Sequence, residues 1–493
     1  MNTRPNVLWL MSDQHNTQST GYSGNPNVRT PNLDRLAAQS VNFRRAYTVN
    51  PICAPSRLSF ITGQYCHTHG LFGNMNNLYS RSNPDTLACV FRRAGYQTAI
   101  FGKAHMVPLW DRQGFEHIRY DNLGDVAPGD PMSCEYFRQI CESGAAELMD
   151  REMTTHGEPA SRPSFLSYEQ SCEYFTGQEA INFLAARDRS RPFFAQVSFQ
   201  RPHGCDYAAE EYFHMYDPKD IVLPDSAADL FVNGFASKPK AIREAVLAGS
   251  GYPLAASEQR LKRGLCGYYA LISQIDNEIG RVIAALEASG ELDNTIILYT
   301  ADHGDYAGEH GLLFKGLSLY ESLHRVPFLL RWPGGPAGTV CDELIETIDW
   351  YPTVCGLCGV DVPPGREGVD VLPIAAGQRS GKDAAFCEFC VTGKVSAIRT
   401  RQYRLIVNAD CGAHELYDVQ ADPGEMYNLF EDPRHAAARA DLMEQLLLFT
   451  LNYRTESSYA TDAVQGPELY ESPAIKMHFG RARWADYGKT APA

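Results

Sequence analysis

Short, uninterrupted apolar runs recur along the chain, and each stops abruptly at polar side chains. Residues 6–11 stop at Ser12, Asp13 and Gln14, and residues 98–101 at Gly102, Lys103 and His105. Residues 193–199 lead to Arg201, Pro202 and His203, and residues 295–300 to Asp302, His303 and Gly304. Runs of this kind suit buried strands of a largely parallel sheet covered on both faces. Between them the period becomes helical. Thr30-Pro31 reads as an N-cap with proline at the first helical position, ahead of Leu33, Leu36 and Ala37. Residues 87–94 end at Gly95 as a C-cap. The clearest helix covers about residues 267–289, where Tyr268, Ile272, Ile275, Ile279, Val282 and Leu286 share a face and Gly290 closes the run. Strands alternating with helices predict an α/β fold with a large, mostly parallel central sheet flanked by helices.

Two segments break the pattern. Residues 121–164 and 205–257 show no clear period and read as insertions that shape a substrate mouth. Beyond residue 376 the texture shifts to short strands, 395–400 and 403–407, then a helix over about 433–453. This predicts a catalytic domain over residues 1–376 and a smaller C-terminal α+β subdomain over 377–493, with antiparallel strands, a helix and a tail arm. The aromatic tail reads as an arm that packs on a neighbour, as in a homo-oligomer.

Composition narrows the function. The chain has 493 residues, more than the ~250–300 that one core serves. With 44 Lys+Arg against 59 Asp+Glu, the net charge is -15, which argues against a nucleic-acid partner. An anionic substrate would have to be held by local cations or a metal. The apolar run over residues 7–11 is too short for a signal peptide, and nothing approaches the ~20 apolar residues that span a bilayer. The expectation is a cytoplasmic protein without a membrane partner, or a periplasmic one if a leader has been removed. The 14 cysteines are scattered through a large chain, which favours thiols over disulfides. The pairs Cys355/Cys358 and Cys387/Cys390 offer four sulfurs of the kind that hold zinc. Their separation exceeds that of a zinc ribbon, and they fall on a helical segment (349–358) and a strand (384–390), so buried core thiols are the expectation.

In open α/β sheets, ligands sit beyond the carboxyl ends of the strands. Here those ends carry Asp13, Gln14, Lys103, His105, His203, Asp302 and His303. The sharpest local signal is Cys53-Ala54-Pro55-Ser56-Arg57, a cysteine at a loop-to-helix junction. Pro55 pre-sets φ for the helix, and the first-turn amides favour an anion and a reactive thiolate. On those residues alone, Cys53 is either a nucleophilic thiol with Arg57 as an anion contact or a buried, inert cysteine.

That segment, followed by Thr62-Gly63, resembles the signature of the formylglycine-dependent sulfatases of the alkaline-phosphatase-like superfamily. The likeness runs along most of the chain: Asn6 to Gln14, Thr30 to Ala37, Gly102-Lys103-Ala104-His105, Ser198 to His203, Asn294 to Gly304, Leu313-Phe314-Lys315 and Glu415 to Leu429. The resemblance implies that a separate maturation enzyme oxidises Cys53 to formylglycine. It implies one divalent metal ion, Ca2+ or Mn2+, held by Asp13, Gln14, Asp302, His303 and residue 53. Asp302 would also orient the attacking hydroxyl. Arg57, Lys103 and Lys315 would surround the sulfate. His203, with Lys315, would protonate the leaving alcohol, and His105 would accept the proton that releases sulfate. His67 and His69 read as helix-end packing, and His310 and His324 have no assigned role.

Many sulfatases carry Asp-Asp and Asp-Asn where this chain has Asp13-Gln14 and Asp302-His303. These pairs resemble a branch containing choline sulfatases and phosphonate monoester hydrolases, and the nitrogen ligand brings Mn2+ into contention beside Ca2+. The implied activity is that of an arylsulfatase-like sulfuric ester hydrolase acting on a small-molecule or carbohydrate sulfate ester. The alternative is a phosphonate monoester or phosphodiester hydrolase using the same machinery, with Ser56 leaning towards sulfate. An inactive sulfated-ligand-binding protein would require a broken constellation, and every position here is filled.

Overall fold

In a computed structural model the apolar runs become the strands of one sheet; the structure describes residues 4–74, 83–105, 112–121, 134–155, 162–204, 207–247, 257–316, 318–390 and 394–451. The strands are Asn6–Asp13 (β1), Val41–Tyr47 (β2), Gln97–Gly102 (β3), His117–Arg119 (β4), Phe193–Pro202 (β5), Thr295–Ala301 (β6), Arg325–Val326 (β7), Phe328–Arg331 (β8) and Thr339–Glu346 (β9). Their order is β4-β3-β5-β1-β6-β8-β2-β7, with β9 paired to β2. Pairing is parallel from β4 through β3, β5 and β1 to β6, and antiparallel where β8 meets β6 and β2.

Every residue of β1 is buried. Val7, Trp9 and Met11 pack on one face with Phe60, Phe194, Leu298 and Trp350. Leu8 and Leu10 pack on the other with Val197, Tyr299, Ile275 and Ile279. Both faces are covered, so alternation disappears and the strand reads as continuous apolar sequence.

The long helix is Glu258–Ala288, with Ser257 accepting from the Arg260 amide at its start. It therefore begins well ahead of Gly267. Within it, a Cβ at Gly264 would lie 2.5 Å from Leu313 Cδ1, so that glycine admits a neighbouring side chain. The helix Pro31–Ala37 has Thr30 at its N-cap without the expected side-chain cap. The Thr30 hydroxyl instead accepts from Gly21 at 2.7 Å and donates to Asp34 at 3.0 Å. The orphan amides are taken by Asp276 of the long helix, which accepts from Asn32 at 3.1 Å and Leu33 at 2.7 Å.

The described parts of the two insertions contain helices where no period was evident, among them Glu135–Glu142, Ala146–Thr154 and Lys240–Leu247. The first buries only Tyr136, Phe137 and Ile140, a stripe too short to stand out from its polar flanks. A second, antiparallel sheet holds Ala384–Cys390 (β10), Lys394–Thr400 (β11), Tyr403–Asn408 (β12) and Glu415–Asp418 (β13). Leu442 and Leu446 of the helix Ala436–Leu451 pack on its Ile398, Leu405 and Leu416. The expected tail arm lies outside the described residues. Cys355 and Cys358 sit in the main core with Trp350 and Val354, and Cys387 in a different cluster with Ile406 and Tyr417, so these three thiols do not converge on one zinc. The Cys390 side chain lies outside the described residues. Among them, no helix is long and apolar enough to cross a membrane.

Candidate active site

The parallel register brings four strand ends level. Met11 pairs with Ser198 and Thr300, Ser12 with Ala301, and Gly102 with Ser198. Asp13 ends β1, Lys103 follows β3, His203 follows β5 and Asp302 follows β6, so all emerge on one edge of the sheet. The backbone turns off β1 at Gln14, which adopts a left-handed φ of 64°, and His105 sits at φ 51°. Gly102 (φ 87°) is required where it stands, because a Cβ there would lie 2.1 Å from the Ser198 carbonyl oxygen.

Facing these ends is the helix Cys53–Thr62, buried along its whole length. Asn50 Oδ1 accepts from the Ile52 amide at 2.9 Å and Asn74 Oδ1 from Ala54 at 3.0 Å, which fixes the first turn. Cys53 Sγ lies 3.3 Å from His303 Nε2, 3.3 Å from Lys315 Nζ and 3.6 Å from Asp13 Oδ1. The His105 side chain also favours the thiolate form of this sulfur. Burial pushes the thiol up, but Lys103, Lys315 and His303 together hold it well below its usual range.

The carboxylates are fixed on several sides. Asp302 Oδ1 accepts from the Gln14 amide at 3.0 Å and its own neighbour's, His303, at 2.9 Å, while Oδ2 accepts from Arg57 Nε at 2.8 Å. Asp13 Oδ2 lies 2.6 Å from Lys103 Nζ and 3.2 Å from Arg57 Nη2. Arg57 Nη1 donates to Ser198 Oγ at 2.7 Å and the Lys103 carbonyl at 2.9 Å. Burial and the Cys53 sulfur raise the Asp13 carboxyl, yet Lys103, His203 and Arg57 hold it far below the usual range. His203 is half-buried, and burial with Lys315 brings its imidazolium down to about 4.

Ligand atoms of Asp13, Cys53, Asp302 and His303 all lie within 4.8 Å of one another, and all four residues are buried. His303 Nδ1 donates to the Gly304 carbonyl at 2.9 Å, which leaves the Nε2 lone pair facing the cluster. Gln14 Nε2 donates to Asp305 Oδ2 at 2.6 Å, so Oε1 is the end left for a cation. Two carboxylates, an imidazole nitrogen and an amide oxygen form a donor set that fits a divalent metal ion.

The structure thus brings Asp13, Cys53, Arg57, Lys103, His105, His203, Asp302, His303 and Lys315 around one point, with Gln14 beside them. The four other histidines singled out from the sequence are engaged elsewhere. His67 Nδ1 meets Glu388 at 2.9 Å, His69 Nε2 meets Ser59 at 2.8 Å, His310 Nδ1 meets Asp229 at 2.9 Å, and His324 Nδ1 accepts from Arg404 at 2.9 Å. Sequence reasoning missed Ser198, Asn50, Asn74 and Asp305. Of these only Asp305, three residues after Asp302, carried a signal that could have been used.

Strand ends that deliver carboxylates, imidazoles and ammonium groups to a helix-start cysteine define an alkaline-phosphatase-like hydrolase. The chain belongs to the sulfatase family: the model described as Sulfatase matches residues 5–360, and that described as N-sulphoglucosamine sulphohydrolase, C-terminal, matches residues 308–451. It is 31% identical over 473 residues to an arylsulfatase of Clostridium perfringens, covering 92% of this chain and 95% of that protein. A choline-sulfatase of Rhizobium meliloti is 29% identical, covering 89% of this chain and 85% of its own. The solved phosphonate monoester hydrolase of Agrobacterium radiobacter aligns with a TM-score of 0.77 at 26% identity, covering 91% of this chain and 96% of that one. The family and branch expected from the sequence are therefore the ones found.

Proposed function

We propose that the enzyme hydrolyses sulfate monoesters, of small molecules or carbohydrates, with residue 53 as nucleophile after a maturation enzyme converts Cys53 to formylglycine. The observation that carries this is the placement of Cys53 Sγ 3.3 Å from both Lys315 Nζ and His303 Nε2, at the centre of the carboxylate cluster. A divalent cation, Mn2+ or Ca2+, held by Asp13, Gln14, Asp302, His303 and residue 53, would supply Lewis-acid polarisation of the ester oxygens. Lys103 and Lys315 place positive charge where the sulfate sits, and Arg57 adds charge from behind the carboxylates it anchors. Asp302 orients the attacking hydroxyl of the hydrated aldehyde. That oxygen bonds to sulfur as the bond from sulfur to the alcohol oxygen breaks; His203, neutral without substrate, takes up its proton when the anionic ester sits beside it and, with Lys315, gives that proton to the departing oxygen. His105 then takes the proton of the remaining hydroxyl; the carbon–oxygen bond to sulfate breaks, sulfate leaves and the aldehyde returns, ready for water.

A second reading, hydrolysis of phosphonate monoesters or phosphodiesters, is favoured by Gln14 and His303 and by the likeness to a phosphonate monoester hydrolase. Both substrates present a tetrahedral anionic centre to the same groups. Mass spectrometry of the peptide bearing residue 53, paired with turnover of matched aryl sulfate and aryl phosphonate esters, tests the scheme. Formylglycine makes that peptide about 18 Da lighter than its cysteine form. A faster sulfate ester supports the first reading and a faster phosphonate ester the second. Full activity from unmodified Cys53 would overturn both.

A further inference from the structure

The two loops that carry the proposed cation ligands meet at one carboxylate that is not itself among the converging ligands. Asp305 is buried. Its Oδ1 accepts from the backbone amides of Ala307 at 2.7 Å and Phe314 at 3.0 Å. Its Oδ2 accepts from Gln14 Nε2 at 2.6 Å, and its backbone oxygen accepts from Asn16 Nδ2 at 2.7 Å. Tyr268 closes the arrangement from the long helix, donating to the Gln14 carbonyl at 2.8 Å and accepting from the Asn16 amide at 2.8 Å.

A carboxamide has two ends of nearly equal shape and opposite hydrogen-bonding character. Only the oxygen can ligate a cation, so a glutamine ligand needs something that decides which end faces it. Asp305, ionised, only accepts. It therefore selects the nitrogen of Gln14 for itself and leaves the oxygen for the cluster. Through the Phe314 amide the same carboxylate holds the segment that presents Lys315 to Cys53.

We infer that Asp305 is a positioning residue that sets Gln14 oxygen-first towards a divalent cation. This rests on the proposed ligand role of Gln14. The fixed polarity of its neighbours makes the idea testable. In Asp305→Asn, the two backbone amides at Oδ1 demand the new oxygen, so the NH2 group faces Gln14. Gln14 must then turn its own oxygen to Asn Nδ2 and its nitrogen to the cation. Exchanging the pair, Gln14→Glu with Asp305→Asn, restores a matched arrangement: one carboxylate oxygen accepts from Asn Nδ2 and the other faces the cation.

The experiment is titration of the full chain with Mn2+ by isothermal calorimetry, alongside thermal unfolding. Asp305→Asn is expected to weaken Mn2+ binding by about 10–100-fold, the usual cost of losing a residue that orients a ligand. The exchanged pair is expected to recover most of that loss. If Asp305→Asn binds Mn2+ as the parent does, or if the exchanged pair fails to recover, Asp305 does not orient Gln14. If Asp305→Asn does not fold, the exchanged pair decides alone, near-parental affinity supporting the inference and weak binding overturning it. Gln14→Ala separates this from the underlying reading, because unchanged affinity there removes Gln14 from the ligand set altogether.

Discussion

At the residue scale, the site depends on very few positions whose backbone and side chain are both constrained. Cys53→Ala cannot be converted to an aldehyde and is expected to abolish turnover of both ester classes while part of the Mn2+ affinity survives, as measured by kcat/KM and calorimetry. Gly102→Ala is a subtler lesion. The added Cβ meets the Ser198 oxygen and forces a left-handed φ, and relief of that contact moves Lys103 and His105 together. A displacement of roughly 1 Å at such a site costs about 100-fold in rate, so kcat/KM is expected to fall by that order in a folded protein. Much of this was legible in the chain, because Asp13, Lys103, His203 and Asp302 each stand where an apolar run stops, and a parallel sheet aligns those stops. Asp305 offered only its nearness to Asp302. It is one acidic residue among 59 Asp+Glu, and its neighbours do not reveal that its oxygens face three amide donors.

At the scale of elements, the two sheets are joined by charge as well as by apolar packing. Arg404 of β12 is fully buried between Glu321 and Glu425, 2.6 Å from the latter, and donates to the Leu319 carbonyl at 3.1 Å. Arg399 of β11 also reaches Glu321, at 3.0 Å. We propose that residues from 377 onward act as a subdomain held to the catalytic unit through this network. Arg404→Met is expected to destabilise the protein by about 3–5 kcal/mol, because it leaves Glu425 buried without its cation. Urea unfolding measures that cost, and activity per folded molecule is expected to stay near the parent's. None of this was readable from sequence, where Arg404 is one basic residue in an alternating strand. The same limit explains the cap on Pro31–Ala37, which depends on Asp276, a partner distant in sequence.

At the scale of the whole molecule, buried histidines set a pH limit. The Leu71 amide donates to His69 Nδ1 at 3.1 Å, so Nε2 carries the proton towards Ser59, and burial followed by the charge of His67 lowers the imidazolium from 6.5 to about 3. Burial lowers His310 from 6.5 to about 4. In the unfolded chain both take up protons near 6.5; in the folded protein they resist to about 3 and about 4. Between those limits the unfolded state binds more protons, so stability falls as pH drops from 6.5, and above 6.5 these groups have no effect. Each adds a slope of about 1.4 kcal/mol per pH unit within its window. Urea midpoints across that range are expected to show the fall, and His69→Gln, which cannot take up a proton, is expected to make it shallower. An unchanged slope in that variant would assign the acid sensitivity elsewhere.

The central position of β1 has a further consequence. Its amides are shielded by β5 on one side and β6 on the other, and by apolar layers above and below. Such amides open to solvent only when the molecule unfolds as a whole. Asp13 ends that strand and Asp302 follows its partner, so the cluster is anchored in what should be the slowest-exchanging region of the chain. On gradual denaturation, deuterium should enter the outer strand β4 and the helix Ala436–Leu451 first, while the residues around Cys53 keep their arrangement until the last cooperative step.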